Sequence, residues 1–441
     1  MELRDLIVTP LLLLLVYGLA YFVRPHFTTE TNKKYFIPAL TVRIVGAIAL
    51  GLVYQFYYTS GDTFTYHTHG SRPLWEAIMH SPLDGFRYLF SNGEYGKGLW
   101  NISQEVWQWR ENSSFFIIRI ATFFDLITFS TYSATATLFG VFGFIGAWML
   151  FVTFSSRVHD EEGKLAWACL FIPSVVFWGS GVLKDTITLS CIGIATFAVN
   201  EIFFKSRFNL KILVILFLSL FFIYSIKIFI LQAFVPALIL WVLINKIQKV
   251  KSSMLRVMAF PFFLLMIISL SYFFILRLGD ANKRYSVNEL AETARVTAYD
   301  IRFWTGKDAG SGYNLGEFDG TLTGMLIRAP QAINVALFRP YPWEVKNPLM
   351  ALSSLESLVL MCLTLFCILF FWRNIIKNFT SSDVLFCFAF SLTFAFGVGI
   401  ATYNFGTLAR YKIPLLPFFL IGLIIVSSKT ANQQLSSHDI A

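Results

Sequence analysis

Apolar runs separated by short polar stretches recur along almost the whole chain. Each run predicts a spanning helix, because ~20 apolar residues at a rise of ~1.5 Å cross a hydrocarbon core ~30 Å thick. Eleven spans are predicted, over residues 6–23, 36–58, 131–154, 165–182, 186–204, 211–225, 228–244, 257–276, 349–372, 383–402 and 413–428. The apolar run 115–130 carries Arg119 and Asp125 and predicts an interfacial helix, with a twelfth span as the alternative. The run 211–244 is too long for one helix and is predicted to break near residues 224–227. Residues 1–23 lack the basic start and small-residue cleavage site of a signal peptide, so they read as a membrane helix.

The polar stretches set an orientation. Residues 24–34, 205–211, 246–256 and 373–377 are basic and fall on one face, together with the C-terminal tail. Lys and Arg outnumber Asp and Glu there, the bias of cytoplasmic loops. The N-terminus is expected outside and the C-terminus in the cytoplasm, in a bacterial inner membrane. Two long loops are then external. Residues 59–130 carry interfacial helices with Trp100, Trp107 and Trp109, and residues 277–348 carry an amphipathic stretch and a Gly-rich turn region. The expected fold class is an all-α polytopic membrane protein, a single membrane-embedded domain over 1–441.

Composition narrows the function. Of 441 residues, 56% are hydrophobic and 14% charged, which excludes a soluble protein of this size. The net charge of +9 is accounted for by the cytoplasmic loops, so no nucleic-acid partner is expected. All five cysteines lie in apolar runs without metal-ligand spacing.

Candidate chemistry gathers in four polar motifs, each at the external end of a predicted helix. They are Ser60–Gly70 (SGDTFTYHTHG), residues 173–186 (PSVVFWGSGVLKDT), residues 338–344 (FRPYPWE) and residues 404–417 (NFGTLARYKIPLLP). Asp62 opens the first loop, followed by Tyr66, His67 and His69; a Gly-Asp pair also suits a simple turn. Lys184 and Asp185 interrupt an otherwise apolar run, and Lys227 marks the break after 211–225. Arg339 and Glu344 either reach into a site or pair with each other. Arg410 and Lys412 are cations where the charge bias predicts few, which points to an anion. His67 and His69 with Asp62 leave a divalent metal open, but no cofactor is indicated. Arg43, inside the second helix, is read as structural, with Glu201 and Glu356 as conceivable partners.

Taken together, the acid opening the first loop, the segment NSSFFIIRIATFFDLITF, the helix ending in PSVVFWGSGVLKD and the Arg-Tyr-Lys-x-Pro-x-x-Pro motif resemble the GT-C class of membrane glycosyltransferases. That class includes the protein mannosyltransferases and the aminoarabinose transferase. Here a single acid, followed by Thr63, stands where many members have two. The resemblance implies Asp62 as the base toward the acceptor hydroxyl and Lys184, Arg410 and Lys412 as contacts of the lipid phosphate. It implies a lipid-linked sugar donor, a glycan, lipid or protein acceptor, and surrounding membrane lipids as partners. The substrate-binding candidates are Tyr66, His67, Lys184, Asp185, Lys227, Arg339, Glu344, Arg410 and Lys412. A polymerase of lipid-linked polysaccharide repeats, and a transporter or flippase of an anionic lipid or glycan, are the alternatives.

Overall fold

A computed structural model describes residues 2–91, 99–158, 160–249 and 322–428, with isolated residues between 292 and 315. The predicted span 257–276, and nearly all of the amphipathic and Gly-rich stretches of the second loop, lie outside the described residues. The protein is an all-α, polytopic integral membrane protein. Among the described residues there is no strand, only a single bridge between Gly312 and Asn404. Among the described residues, seven helices are long and apolar enough to cross a membrane, or eight if one bent pair counts as a span. The chain divides into two compact units: residues 1–153, 169–198 and 208–227 form the first, and 154–168, 199–207 and 228–441 the second.

The first unit opens with α1 (Asp5–Phe27) and α2 (Lys33–Val53), the latter prolonged by a π-helical turn, Tyr54–Tyr58. Helix α1 leaves Leu6, Ile7, Leu11, Leu14 and Leu15 exposed, as a lipid-facing surface requires. Its inner side is tied down by Asp5, which accepts from the backbone N–H of Ser133 at 3.0 Å and from its hydroxyl at 2.5 Å. After α2 come α3 (Asp62–Tyr66), a second π turn at His67–Ser71, α4 (Arg72–His80), α5 (Pro82–Leu89), α6 (Trp100–Glu105) and α7 (Asn112–Thr128). Helices α8 (Tyr132–Ser155), α9 (Glu162–Leu170), α10 (Pro173–Trp178), α11 (Lys184–Val199) and α12 (Leu210–Ile226) follow. Three of these, α8, α9 and, by its last residue, α11, straddle the boundary between the units.

The predicted span 165–182 is corrected: the chain breaks between α9 and α10. Pro173 occupies the first turn of α10, where its missing N–H costs nothing, and it bars the preceding residue from helix. With 9 and 6 residues, α9 and α10 reach only ~14 and ~9 Å. At 17 residues each, α7 and α12 stand at the lower limit of a span. Arg43 does not pair with Glu201 or Glu356. Fully buried on α2, it donates through Nη1 to the carbonyls of Val175 (3.0 Å) and Gly179 (2.8 Å). Both carbonyls lie at the C-terminal end of α10, and that of Val175 also accepts the Gly179 N–H at 3.1 Å. Gly46, one turn along α2, permits this approach, since a Cβ there would sit 2.8 Å from the Val176 carbonyl oxygen.

The second unit contains α13 (Ile228–Gln248), α14 (Leu322–Ile327), α15 (Ala329–Phe338), a 3-10 turn at Pro342–Glu344, α16 (Pro348–Asn378), α17 (Ser382–Thr402), α18 (Phe405–Tyr411) and α19 (Leu415–Ser427). Helices α18 and α19 meet at a bend of 64° and replace the straight span predicted over 413–428. Aromatic packing holds this unit: Trp241 stacks on Phe386 with centroids 4.5 Å apart, and Phe418 meets Phe386 and Phe390 edge-on. The Trp241 indole N–H donates to Asp383 at 2.7 Å. Arg157 clamps the same carboxylate through Nε at 2.9 and 3.0 Å and Nη2 at 2.7 Å, so the buried charge is matched.

Candidate functional site

Asp62 owes its place to a sharp turn. Thr59 (φ 61°) and Gly61 (φ 142°) let the chain leave α2 and start α3 at once. A side chain at 61 would be strained at that φ, and its Cβ would lie 2.2 Å from the Tyr54 ring. Below the turn, Leu50, Tyr54 and Leu183 are buried, with Phe64, Phe177 and Trp178 packed against them. This apolar floor joins the motif around Asp62 to the one around Lys184.

Lys184 is the hub. Its ammonium donates to Glu111 Oε1 at 2.8 Å and to Ser113 Oγ at 2.7 Å. It lies 5.9 Å from the Tyr66 ring centroid and feels the charges of Asp62 and Lys227. Lys227, just past the end of α12, forms a short ion pair with Asp185. That pair is deeply buried, with 10% and 2% of the two side chains exposed. Asp62 is half-buried and Tyr66 buried. Glu111 is the residue the sequence reading missed. Burial would raise its pKa, but hydrogen bonds from Lys184, Ser114 and Ser113 outweigh that and hold it at about 2. The one sequence signal for it is position: an acid directly before the apolar run of α7.

His67 and His69 do not join Asp62. The π turn at His67–Ser71 rotates the backbone relative to α3. His67 faces inward, fully buried, with Nε2 3.4 Å from Asp125 and its ring edge-on to Tyr132. Asp125 there accepts from Ser71 and Thr135, both at 2.6 Å. His69 stacks on Trp107, with centroids 4.1 Å apart. Among the described residues, no three His, Cys, Asp or Glu side chains are gathered as a metal site would need. His67, expected to touch substrate, is therefore placed in the core of the first unit.

In the second unit Arg339 and Glu344 pair with each other. Arg339 Nε donates to both carboxylate oxygens at 3.1 and 3.0 Å, and Glu344 also accepts the Tyr341 N–H at 2.8 Å. Burial raises the Glu344 pKa, and the bonds from Arg339 and Tyr341 reverse this into a net lowering. The guanidinium lies 5.3 to 5.8 Å from the Phe405, Tyr313 and Tyr341 rings. Burial pushes the Tyr313 hydroxyl pKa up, and it stays protonated beside Gly399 O (2.8 Å) and Thr402 (2.6 Å). Lys412 is buried and donates to Ser357 Oγ at 2.9 Å and to the Arg339 carbonyl at 3.4 Å, both neutral, with the charge of Glu356 acting at longer range. Arg410 is half-buried in the last turn of α18. Of the predicted site residues, Asp62, Tyr66, Lys184, Asp185 and Lys227 thus form one group, and Arg339, Glu344 and Lys412 another.

No protein-family model, curated protein or solved structure matches the chain.

Proposed function

We propose that this protein is a membrane glycosyltransferase of GT-C-like type. It moves a sugar from a polyprenyl-phosphate donor to an acceptor hydroxyl on the external face of the membrane. The observation that carries the reading is the convergence of Asp62, Lys184, Asp185 and Lys227 from three separate stretches of the first unit. The chemistry needs those types. Asp62 removes the proton of the acceptor hydroxyl as its oxygen attacks the anomeric carbon. The bond from that carbon to the phosphate oxygen breaks, and its electron pair leaves with the polyprenyl phosphate. The ammonium groups of Lys184 and Lys227 meet the charge that grows on that oxygen, where fixed cations act most strongly. Glu111 and Asp185 hold the two ammonium groups in position. Tyr66 beside Lys184 offers a ring face to a sugar.

The test is turnover of polyprenyl-phosphate-linked hexoses and pentoses, radiolabelled in the sugar, by protein in nanodiscs with added acceptor glycans. Label leaving the donor lipid, with stoichiometric polyprenyl phosphate, is expected. A second reading, a carrier of an anionic lipid or glycan, is favoured by the break between α9 and α10 and the bend between α18 and α19, since carriers use discontinuous helices. Movement of the intact donor across proteoliposomes, without release of label, would decide for the carrier.

A further inference from the structure

Helix α6 and the segment that links it to α7 line an open hollow of about 390 Å³. That falls within the ~300–1,000 Å³ of small-molecule pockets. Its wall presents the rings of Trp100, Trp107 and Trp109, the amides of Gln104 and Gln108, and the guanidinium of Arg110. Tryptophans near a membrane ordinarily form an interfacial belt, with rings toward the headgroups. Here they surround a cavity, and amides stand between them.

The wall is anchored from behind. Ser103 and Val106 are buried, the Trp107 N–H donates to the His69 carbonyl at 2.7 Å, and the Trp107 ring stacks on His69. The Trp107 ring is therefore held while Trp100 and Trp107 both remain about half exposed. Arg110 lies over the Trp109 ring at 5.1 Å. The next residue is Glu111, which holds Lys184.

Indole faces, side-chain amides and a guanidinium around an open cavity match a sugar ring. Its C–H face packs on aromatic carbon and its hydroxyls need both donors and acceptors. We propose that this hollow is a saccharide-binding subsite, and that it serves the acceptor glycan. The role as acceptor subsite rests on the transferase reading; the binding itself does not.

The experiment measures binding without transfer. Protein in nanodiscs of phosphatidylethanolamine and phosphatidylglycerol, free of glycolipid and glycoside detergent, is titrated with maltotriose, chitotriose and trigalacturonate under saturation-transfer NMR. Transfer to at least one trisaccharide is expected, strongest for the uronate because Arg110 is a cation. Trp107→Ala should weaken binding about tenfold, the scale of losing one aromatic contact. Gln104→Ala with Arg110→Ala should do the same. Those two side chains are exposed, so that pair decides the matter if Trp107→Ala fails to fold. Absence of transfer to all three sugars overturns the proposal, as does undiminished binding in the paired variant. Saccharide binding without any donor turnover would instead refute the transferase reading and leave the subsite standing.

Discussion

The two units treat a buried lysine differently. In the first, Lys227 meets Asp185 and Lys184 meets Glu111, so each ammonium has a carboxylate within hydrogen-bond reach. In the second, Lys412 is as deeply buried, but its hydrogen bonds go to a serine hydroxyl and a backbone carbonyl. The charge of Glu356 acts on Lys412 only at longer range, and Glu344 is committed to Arg339 and to the Tyr341 N–H. A carboxylate held by two donors at lowered pKa is a poor base. The first group, by contrast, includes Asp62, which opens a helix half-exposed beside Lys184. On the transferase reading proposed above, proton transfer is assigned to Asp62 in the first unit, while Arg339 and Glu344 tie together the turn before α16.

The comparison breaks most visibly at Lys227. Lys227→Met leaves the Asp185 charge buried without its ammonium, a loss expected at about 3–5 kcal/mol. Unfolding in graded denaturant would measure it, and adding Asp185→Asn should recover part of it. A smaller effect is expected at Glu111. Its carboxylate is depressed to about 2 from an unperturbed 4.5, so it stabilises the fold above pH 4.5. That contribution is lost as pH falls from 4.5 through about 2. Because the side chain is 57% exposed, water screens the gain. The melting temperature should decline over that window, and less steeply in Glu111→Gln. The smallest effect is expected for Lys412→Met. Its hydrogen-bond partners are neutral, Glu356 acts only at longer range, and Ser357 still donates to the Arg339 carbonyl at 3.0 Å, so stability should shift by less than about 1 kcal/mol. A shift of several kcal/mol would mean that the Lys412 charge is needed and that the contrast between the units is false.

Seven of the eleven predicted spans coincide with helices long enough to cross a membrane, because length and apolarity are written locally. The break at Pro173 was visible as a residue, but not as a choice between a kinked span and two short helices. Arg43 found backbone carbonyls, acceptors that no side-chain pattern can reveal. Arg339 and Glu344 were legible as a pair because they lie five residues apart. Glu111 was not, since it pairs with a lysine 73 residues away. The burial of His67 beside Asp125 was not legible, since a π turn, which shifts the helical register, has no signature in residue type.

The central claim, that base chemistry resides at Asp62, is tested most directly by comparing sugar transfer by Asp62→Asn and Lys412→Met per folded molecule in the same membranes. Asp62→Asn keeps the size of the side chain but cannot take a proton. It should remain inserted, still bind donor lipid, and transfer at least ~100-fold more slowly, while Lys412→Met turns over near the native rate. Near-native transfer by Asp62→Asn would contradict the account.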